Sequence, residues 1–265
     1  MKKIISLLLC VVFTSSTLYA NNLGEKAYKK AELISKNMKN SNNIGKTSNE
    51  AKEQYVLSCK NGYDKGCNQI TNMGIVYLSL NPIEAKDLLK VACDGNNAKA
   101  CGILSDIYFQ GIEDNIKKDT KLAIKLLKKS SNLGYKASQL VMAGKLISGK
   151  GFSKNIKAGK KILETLCNKN YNNACITLAK YKYAGIKGIK KDKKGALNIL
   201  TKSCKNKSGE ACFQKSMIRL DKIKNSNITP KVKVLNDIIN DLQKSCKLGF
   251  KPACKNKLKK MKIKG

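Results

Sequence analysis

The chain has no tryptophan, no histidine and a single arginine, Arg219, among its 53 basic residues. Each shortage removes a class of function. Without histidine there is no Ser-His-Asp or Cys-His nucleophilic site and no His-ligated zinc centre. With lysine supplying nearly every cation, the chain lacks the guanidinium forks that grip phosphate and guanine in two-point contacts. Its net charge of +35 reads either as a compositional bias toward lysine and asparagine on a solvated surface or as a surface that attracts anionic polymers such as lipopolysaccharide or acidic glycans. No nucleic-acid partner is expected. Motifs are missing too. No serine is followed by lysine three residues on, so the S-x-x-K of serine β-lactamases is absent, and Lys46-Thr47-Ser48 is only an echo of K-T-G. No G-x-x-x-x-G-K-[ST] phosphate loop occurs. Neither a cofactor nor a metal is expected. A bilayer span needs about 20 apolar residues, and no stretch meets that, so the chain is not expected to span a membrane.

The opening MKKIISLLLCVVFTSSTLYA reads as an export leader. Lys2 and Lys3 precede an apolar run from Ile4 to Phe13, and Ala20 supplies the small residue at the cleavage point. Cys10 lies inside that apolar run behind the large Leu9, which argues against lipidation. The chain is therefore expected to be secreted or periplasmic, where disulfides persist.

Ten cysteines follow, and their spacing is regular. The pairs are Cys59/Cys67, Cys93/Cys101, Cys167/Cys175, Cys204/Cys212 and Cys246/Cys254, each with seven residues between its members. First cysteines of neighbouring pairs fall 34, 37 and 42 apart, and the gap from Cys93 to Cys167 is 74, or two periods. A sixth unit fills that gap. Ser131-Asn-Leu-Gly-Tyr-Lys-Ala-Ser-Gln139 aligns with Cys246-Lys-Leu-Gly-Phe-Lys-Pro-Ala-Cys254, with Ser131 and Gln139 at the two cysteine positions. Joint loss of both thiols suits a bridge within the pair better than a shared zinc site, which would need four ligands. A period in this range is that of stacked helical hairpins.

Within each unit the pattern is helical. Apolar side chains recur at helical spacing after the second cysteine, as in Leu104, Ile107 and Tyr108. Gly111, Gly149 and Gly185 lie eleven residues after Ala100, Ser138 and Ala174, where a left-handed residue ends a helix. Asn81, Asp119, Asn155 and Asp192 each stand twelve residues before the next first-cysteine position and predict the N-cap of a second helix. Pro82 suits its first turn and Glu84 a capping box. Leu88/Leu89, Leu126/Leu127, Ile162/Leu163 and Ile199/Leu200 mark its buried face. Ala85, Ala123, Gly159 and Ala196 let helices approach closely. Each cysteine pair then staples the end of one second helix to the start of the next first helix.

With A-x-x-x-L, an apolar residue at +8, Gly at +11, D-x-x-x-A, a Leu-Leu pair and a final G-x-x-x-A, the unit resembles Sel1-like repeats, relatives of tetratricopeptide repeats. With C-x7-C at each joint, the chain resembles the Helicobacter cysteine-rich protein family. The resemblance implies an all-α fold, a right-handed α/α solenoid with a disulfide in each joint. Residues 1–20 are the leader, 21–50 an N-terminal segment or cap with a helical pattern from Leu23 to Met38, 51–250 the repeats and 251–265 a C-terminal capping helix. Three places depart from the pattern. Tyr77 replaces the +11 glycine, Lys215 occupies a Leu position before the longer loop NSNITP, and the third joint lacks its cystine.

Fold alone does not give function. The principal expectation is a scaffold binding a peptide, a peptidoglycan fragment or other glycan, or a protein partner, acting as a monomer. By analogy with tetratricopeptide geometry, the groove falls to the first helices at Asn68, Asn72, Ile75 and Val76, at Asp106, Phe109 and Gln110, at Ile147 and Ser148, at Lys180 and Tyr183, and at Phe213; Phe109, Tyr183 and Phe213 suit packing between repeats equally well. The family resemblance also implies a second activity, β-lactam binding or hydrolysis, for which the chain has no recognised catalytic motif.

Overall fold

The computed structural model describes residues 2–38, 43–186, 188–225 and 230–255, with side chains from Tyr19 onward. Residues 226–229, within the expected longer loop NSNITP, and the rest of the expected C-terminal cap, 256–265, lie outside the described residues. The described chain is helical throughout, and its isolated bridge joins Ile112 to Ile116 within one loop. It forms two compact units, residues 1–139 and 140–265.

The first unit contains α1 (Lys2–Asn37), α2 (Ile44–Lys60), α3 (Asp64–Tyr77), α4 (Pro82–Asp94), α5 (Ala98–Gln110) and α6 (Thr120–Asn132). They pair in chain order as three hairpins, each of a first and a second helix. The register that burial imposes is the one the repeat requires. Leu89 and Leu127 are fully buried on the second helices, and Leu104 and Ile107 are buried on α5. Ala85 and Ala123 are completely buried, so a larger side chain there would separate the paired helices. The N-terminal segment supplies a first helix of its own. Ala27 and Ala31 are buried, and the Tyr28 ring lies 5.5 Å from both the Tyr55 and Tyr63 rings. The Tyr55 hydroxyl donates to Glu32 at 2.7 Å. Burial above all, with help from this carboxylate, pushes the Tyr55 pKa up to about 12.

The second unit contains α8 (Ile156–Asn168), α9 (Asn172–Ala184), α10 (Lys193–Lys205), α11 (Gly209–Lys224), α12 (Val232–Lys247) and the short α13 (Lys251–Lys255). Helix α7 (Lys136–Ser148) runs into it from Leu140. Leu163, Leu166 and Leu178 form one apolar cluster, and Ile176, Ala196, Leu200 and Ile218 another. At Gly159 a Cβ would lie 2.6 Å from Ile147 and 2.7 Å from the Ala143 carbonyl, which explains the small residue there. Lys215, the polar residue at a Leu position, is answered by charge. Its ammonium lies 2.7 Å from Asp241, both side chains are nearly buried, and Arg219 approaches the same carboxylate at 3.5 Å. Removing one partner of such a pair leaves a charge uncompensated.

All four expected second-helix caps are present. The side chains of Asn81, Asp119, Asn155 and Asp192 accept from the amides of Glu84, Leu122, Ala158 and Gly195. The capping box at Glu84 does not form. Its carboxylate takes Lys52 Nζ at 2.5 Å and the Asn81 side-chain amide at 3.3 Å, while the Asn81 backbone amide donates to the Tyr77 carbonyl. Gly111, Gly149 and Gly185 all have positive φ, at 72°, 77° and 70°. Gly185 is left-handed as expected, whereas Gly111 has a ψ of 171° and leaves its helix extended. Tyr77 needs no such conformation, because only residues 78–81 separate α3 from α4.

Candidate functional site

The joints are built from one turn used six times. The residue three after each first-cysteine position is left-handed: Gly62, Asn96, Gly134, Asn170, Lys207 and Gly249. Its amide donates to the carbonyl of the first-cysteine position, and the next amide donates to the residue just before that position. In the second joint these bonds are Asn96 to Cys93 and Asn97 to Ala92, at 3.0 and 2.9 Å. This is the Schellman ending of a helix. The residue after the left-handed one already caps the next first helix where caps are defined, at Tyr63, Asn97, Tyr171 and Ser208. Asn97 and Ser208 cap with their side chains; the two tyrosines do not.

Five joints are closed by cystines between residues eight apart. They are Cys59–Cys67, Cys93–Cys101, Cys167–Cys175, Cys204–Cys212 and Cys246–Cys254, with Cα atoms 4.5–4.7 Å from each other. These are the pairs the spacing predicts. In each, the second sulfur lies 3.4–3.7 Å from the first cysteine's carbonyl oxygen. Cys67, Cys101, Cys175 and Cys212, which open the first helices, are buried, as are Cys59, Cys93 and Cys204 at the ends of second helices. The cystine sulfurs therefore belong to the packing of the joints. The third joint keeps the sulfur's carbonyl contact by other means. Gln139 Nε2 donates to the Ser131 carbonyl at 3.1 Å. Beside it the Ser130 hydroxyl donates to the Ala98 carbonyl at 2.6 Å and lies 2.7 Å from the Ser138 hydroxyl.

The first helices carry the expected groove positions, and the two units treat them differently. In the first unit, Asn72 on α3 and Asp106 on α5 occupy the same register and are exposed. Neither makes a side-chain hydrogen bond or ion pair among the described residues. Desolvation by the packed helices nevertheless raises the Asp106 carboxyl above the ordinary aspartate value. Asn68, one turn earlier on α3, accepts from Asn97 at 2.7 Å. Phe109 is half-buried.

In the second unit the corresponding side chains are engaged with the next hairpin. Lys180 lies 3.2 Å from Glu210. The Tyr183 hydroxyl donates to Asp221, and Lys193 sits over its ring, 5.1 Å from the centroid. The hydrogen bond to Asp221, together with burial, pushes the Tyr183 pKa up to about 12, and the same bond lowers that of Asp221. Phe213 packs against Phe250 at 5.3 Å. Ile147 does not face a groove: it is buried against α8, because its helix approaches Gly159 so closely.

Comparison with known proteins points the same way. No family model matches the chain. A solved protective antigen of uropathogenic Escherichia coli with an SLR fold superposes on 87% of the chain, with a TM-score of 0.60 and 16% identity. A Sel1 repeat protein from Oxalobacter formigenes superposes on 77%, with a TM-score of 0.59 and 20% identity. The chain has a Sel1-like repeat fold. Cytochrome c oxidase assembly factor 7 of Xenopus tropicalis is 32% identical over 88 residues, 31% of this chain. The chain spans 38% of the length of that relative, 47% of the Escherichia coli antigen and 81% of the Oxalobacter protein. Nothing in these comparisons points to β-lactam cleavage.

Two features of the Sel1-like joints escape the sequence pattern. The left-handed position is signalled by Gly or Asn at five joints, and only Lys207 hides it. The replacement of a cystine by a glutamine amide has no sequence signal, since the bond goes to a backbone carbonyl.

Proposed function

We propose that the chain is a disulfide-stapled Sel1-like scaffold, exported to the periplasm or the medium, that binds a protein or peptide segment along the first helices of its first unit. The observation that carries this reading is Asp106. It is an exposed, partly desolvated carboxylate without an ion pair among the described residues, in a chain of net charge +35. Asn72 offers amide donors and an acceptor at the same register of the preceding first helix. Together they suit a segment that presents a lysine, an arginine or free backbone N–H groups. Lys180 and Tyr183 support a different role, since their polar ends already hold neighbouring hairpins together. Five cystines fit an oxidising compartment. Among the described residues no helix is long and apolar enough to cross a membrane. The leader, residues 1–20, is removed on export in this reading; residues 21–50 cap the repeats of 51–250, and 251–265 close them.

The test is peptide selection on the oxidised chain, followed by binding to an Asn72→Ala/Asp106→Asn variant. Selected peptides are expected to carry a basic residue, to lose at least tenfold in affinity to the variant, and to stay bound at a salt concentration several times physiological. Heparin, held by exposed lysines, is expected to dissociate at that salt, because screening shortens charge interactions below the physiological Debye length of about 8 Å. Peptides that bind the variant equally well would place the site elsewhere. N-terminal sequencing of protein from the producing cell is expected to begin at Asn21, and a start at Met1 would remove the export reading.

A further inference from the structure

Away from the first-helix face, the first unit holds two cavities at equivalent positions between successive second helices. One lies between α2 and α4, about 340 Å³, and the other between α4 and α6, about 360 Å³. Their wall residues correspond by repeat register. Val56 and Lys60 of α2 match Lys90 and Asp94 of α4. Glu84, Asp87, Leu88 and Val91 of α4 match Leu122, Lys125, Leu126 and Lys129 of α6. The same repeat geometry therefore presents two chemistries.

The first cavity has one carboxylate more than it has lysines. Lys52 and Lys60 face Glu53, Glu84 and Asp87, and Lys52 is paired with Glu84. In the second, three lysines, Lys90, Lys125 and Lys129, face a single carboxylate, Asp94. Asp94 is taken by Lys90 at 2.9 Å. Lys125 makes no ion pair among the described residues. Lys129 gives one of its three protons to the Cys93 carbonyl at 2.7 Å, which fixes its ammonium at the wall with two donors to spare. The floor is apolar: Leu104 is buried, and Tyr108, Leu122 and Leu126 are half-buried. This cavity is also the more enclosed of the two. Its volume falls at the small end of ligand sites, which run from roughly 300 to 1,000 Å³.

An apolar floor with uncompensated cations at its rim is complementary to one kind of molecule, a small amphiphile with a single negative head. We propose that the α4–α6 cavity binds a medium-chain fatty acid. Its carboxylate lies between Lys125 and Lys129, and its acyl chain covers Leu104, Tyr108, Leu122 and Leu126. This site is independent of the first-helix face and of any partner bound there.

The experiment is calorimetric titration of the oxidised chain with decanoate and decyltrimethylammonium below their micelle concentrations and with decanol below its solubility limit. Decanoate is expected to bind saturably at one site, at least tenfold more tightly than decanol, and the cation not to compete. Lys125→Glu is expected to weaken decanoate by tenfold or more and leave decanol unchanged. Because Lys125 is exposed, the variant should keep its helical circular dichroism. A readout without any variant is protection of Lys125 and Lys129 from an amine-acylating reagent when decanoate is present. Equal binding of decanoate and decanol, competition by the cation, undiminished decanoate binding to a folded Lys125→Glu chain, or unprotected lysines would each overturn the proposal.

Discussion

The joint at Cys93/Cys101 and the joint at Ser131/Gln139 lie one repeat apart in the same unit. Both end a second helix with a left-handed residue and the same pair of backbone bonds. One is closed by a cystine, the other by an amide reaching the carbonyl that the sulfur touches elsewhere. The covalent bond therefore does not shape the turn. The turn is shaped by backbone hydrogen bonds and a left-handed residue, and the cystine restrains the chain when those are lost. In the chain-entropy account, closing a loop this short removes about 2.5 kcal/mol of unfolded-state freedom.

That comparison can be broken experimentally. The largest effect is expected from converting the bridged joint to the unbridged one with Cys93→Ser and Cys101→Gln. Denaturant unfolding should show a loss of about 2–3 kcal/mol, with helical circular dichroism retained. A loss of helicity would mean that the cystine does shape the joint. The converse change, Ser131→Cys with Gln139→Cys, is expected to make the oxidised protein about 2 kcal/mol more stable than the same variant with that bridge unformed. Non-reducing peptide mapping should find the new bridge within the joint. A gain near zero would show that the turn at 131–139 is not the turn of the other joints. The smallest effect concerns the left-handed residue itself. The other five joints place Gly or Asn there, the residues that adopt positive φ most readily, whereas Lys207 holds a φ of 61° with a full side chain. Lys207→Gly is therefore expected to raise stability by about 0.5 kcal/mol, the relief of strain being partly offset by backbone entropy. Measured in the same denaturant series, a loss instead would put the Lys207 side chain, and not its backbone, in charge of that joint.

The helices and their order were legible because burial imposes a period on the sequence. Leu89, Leu127, Leu163 and Leu200 recur because the same depth of core recurs beneath them. The second-helix caps were legible for a similar reason: a short side-chain oxygen at the right register has few other uses. The cystines were legible through spacing and through the paired loss at Ser131 and Gln139. What the pattern could not convey were contacts between different helices. Tyr183 looks the same whether its hydroxyl faces a ligand or Asp221, thirty-eight residues away. Lys215 looked like a flaw until Asp241 was placed beside it. Glu84 sat at the capping-box position yet was drawn off by Lys52, which comes from the preceding hairpin. Ile147 followed the groove register by analogy, but the small Gly159 opposite it draws the two helices together and buries it.

The eight-residue reach of every cystine also bears on how the protein is made. Ten paired cysteines have many wrong ways to oxidise, and long-range pairing would have to await the complete polypeptide. Here each thiol meets its proper partner by the cheapest ring closure on offer, since the entropic penalty grows with the length of the loop. The turn that brings the two together needs only the end of one helix and the start of the next. Each bridge can thus be sealed as soon as its own short segment emerges, in the order of synthesis and without waiting for downstream repeats. Low contact order of this kind favours fast folding, and it makes the assembly of the molecule a succession of small, locally completed steps.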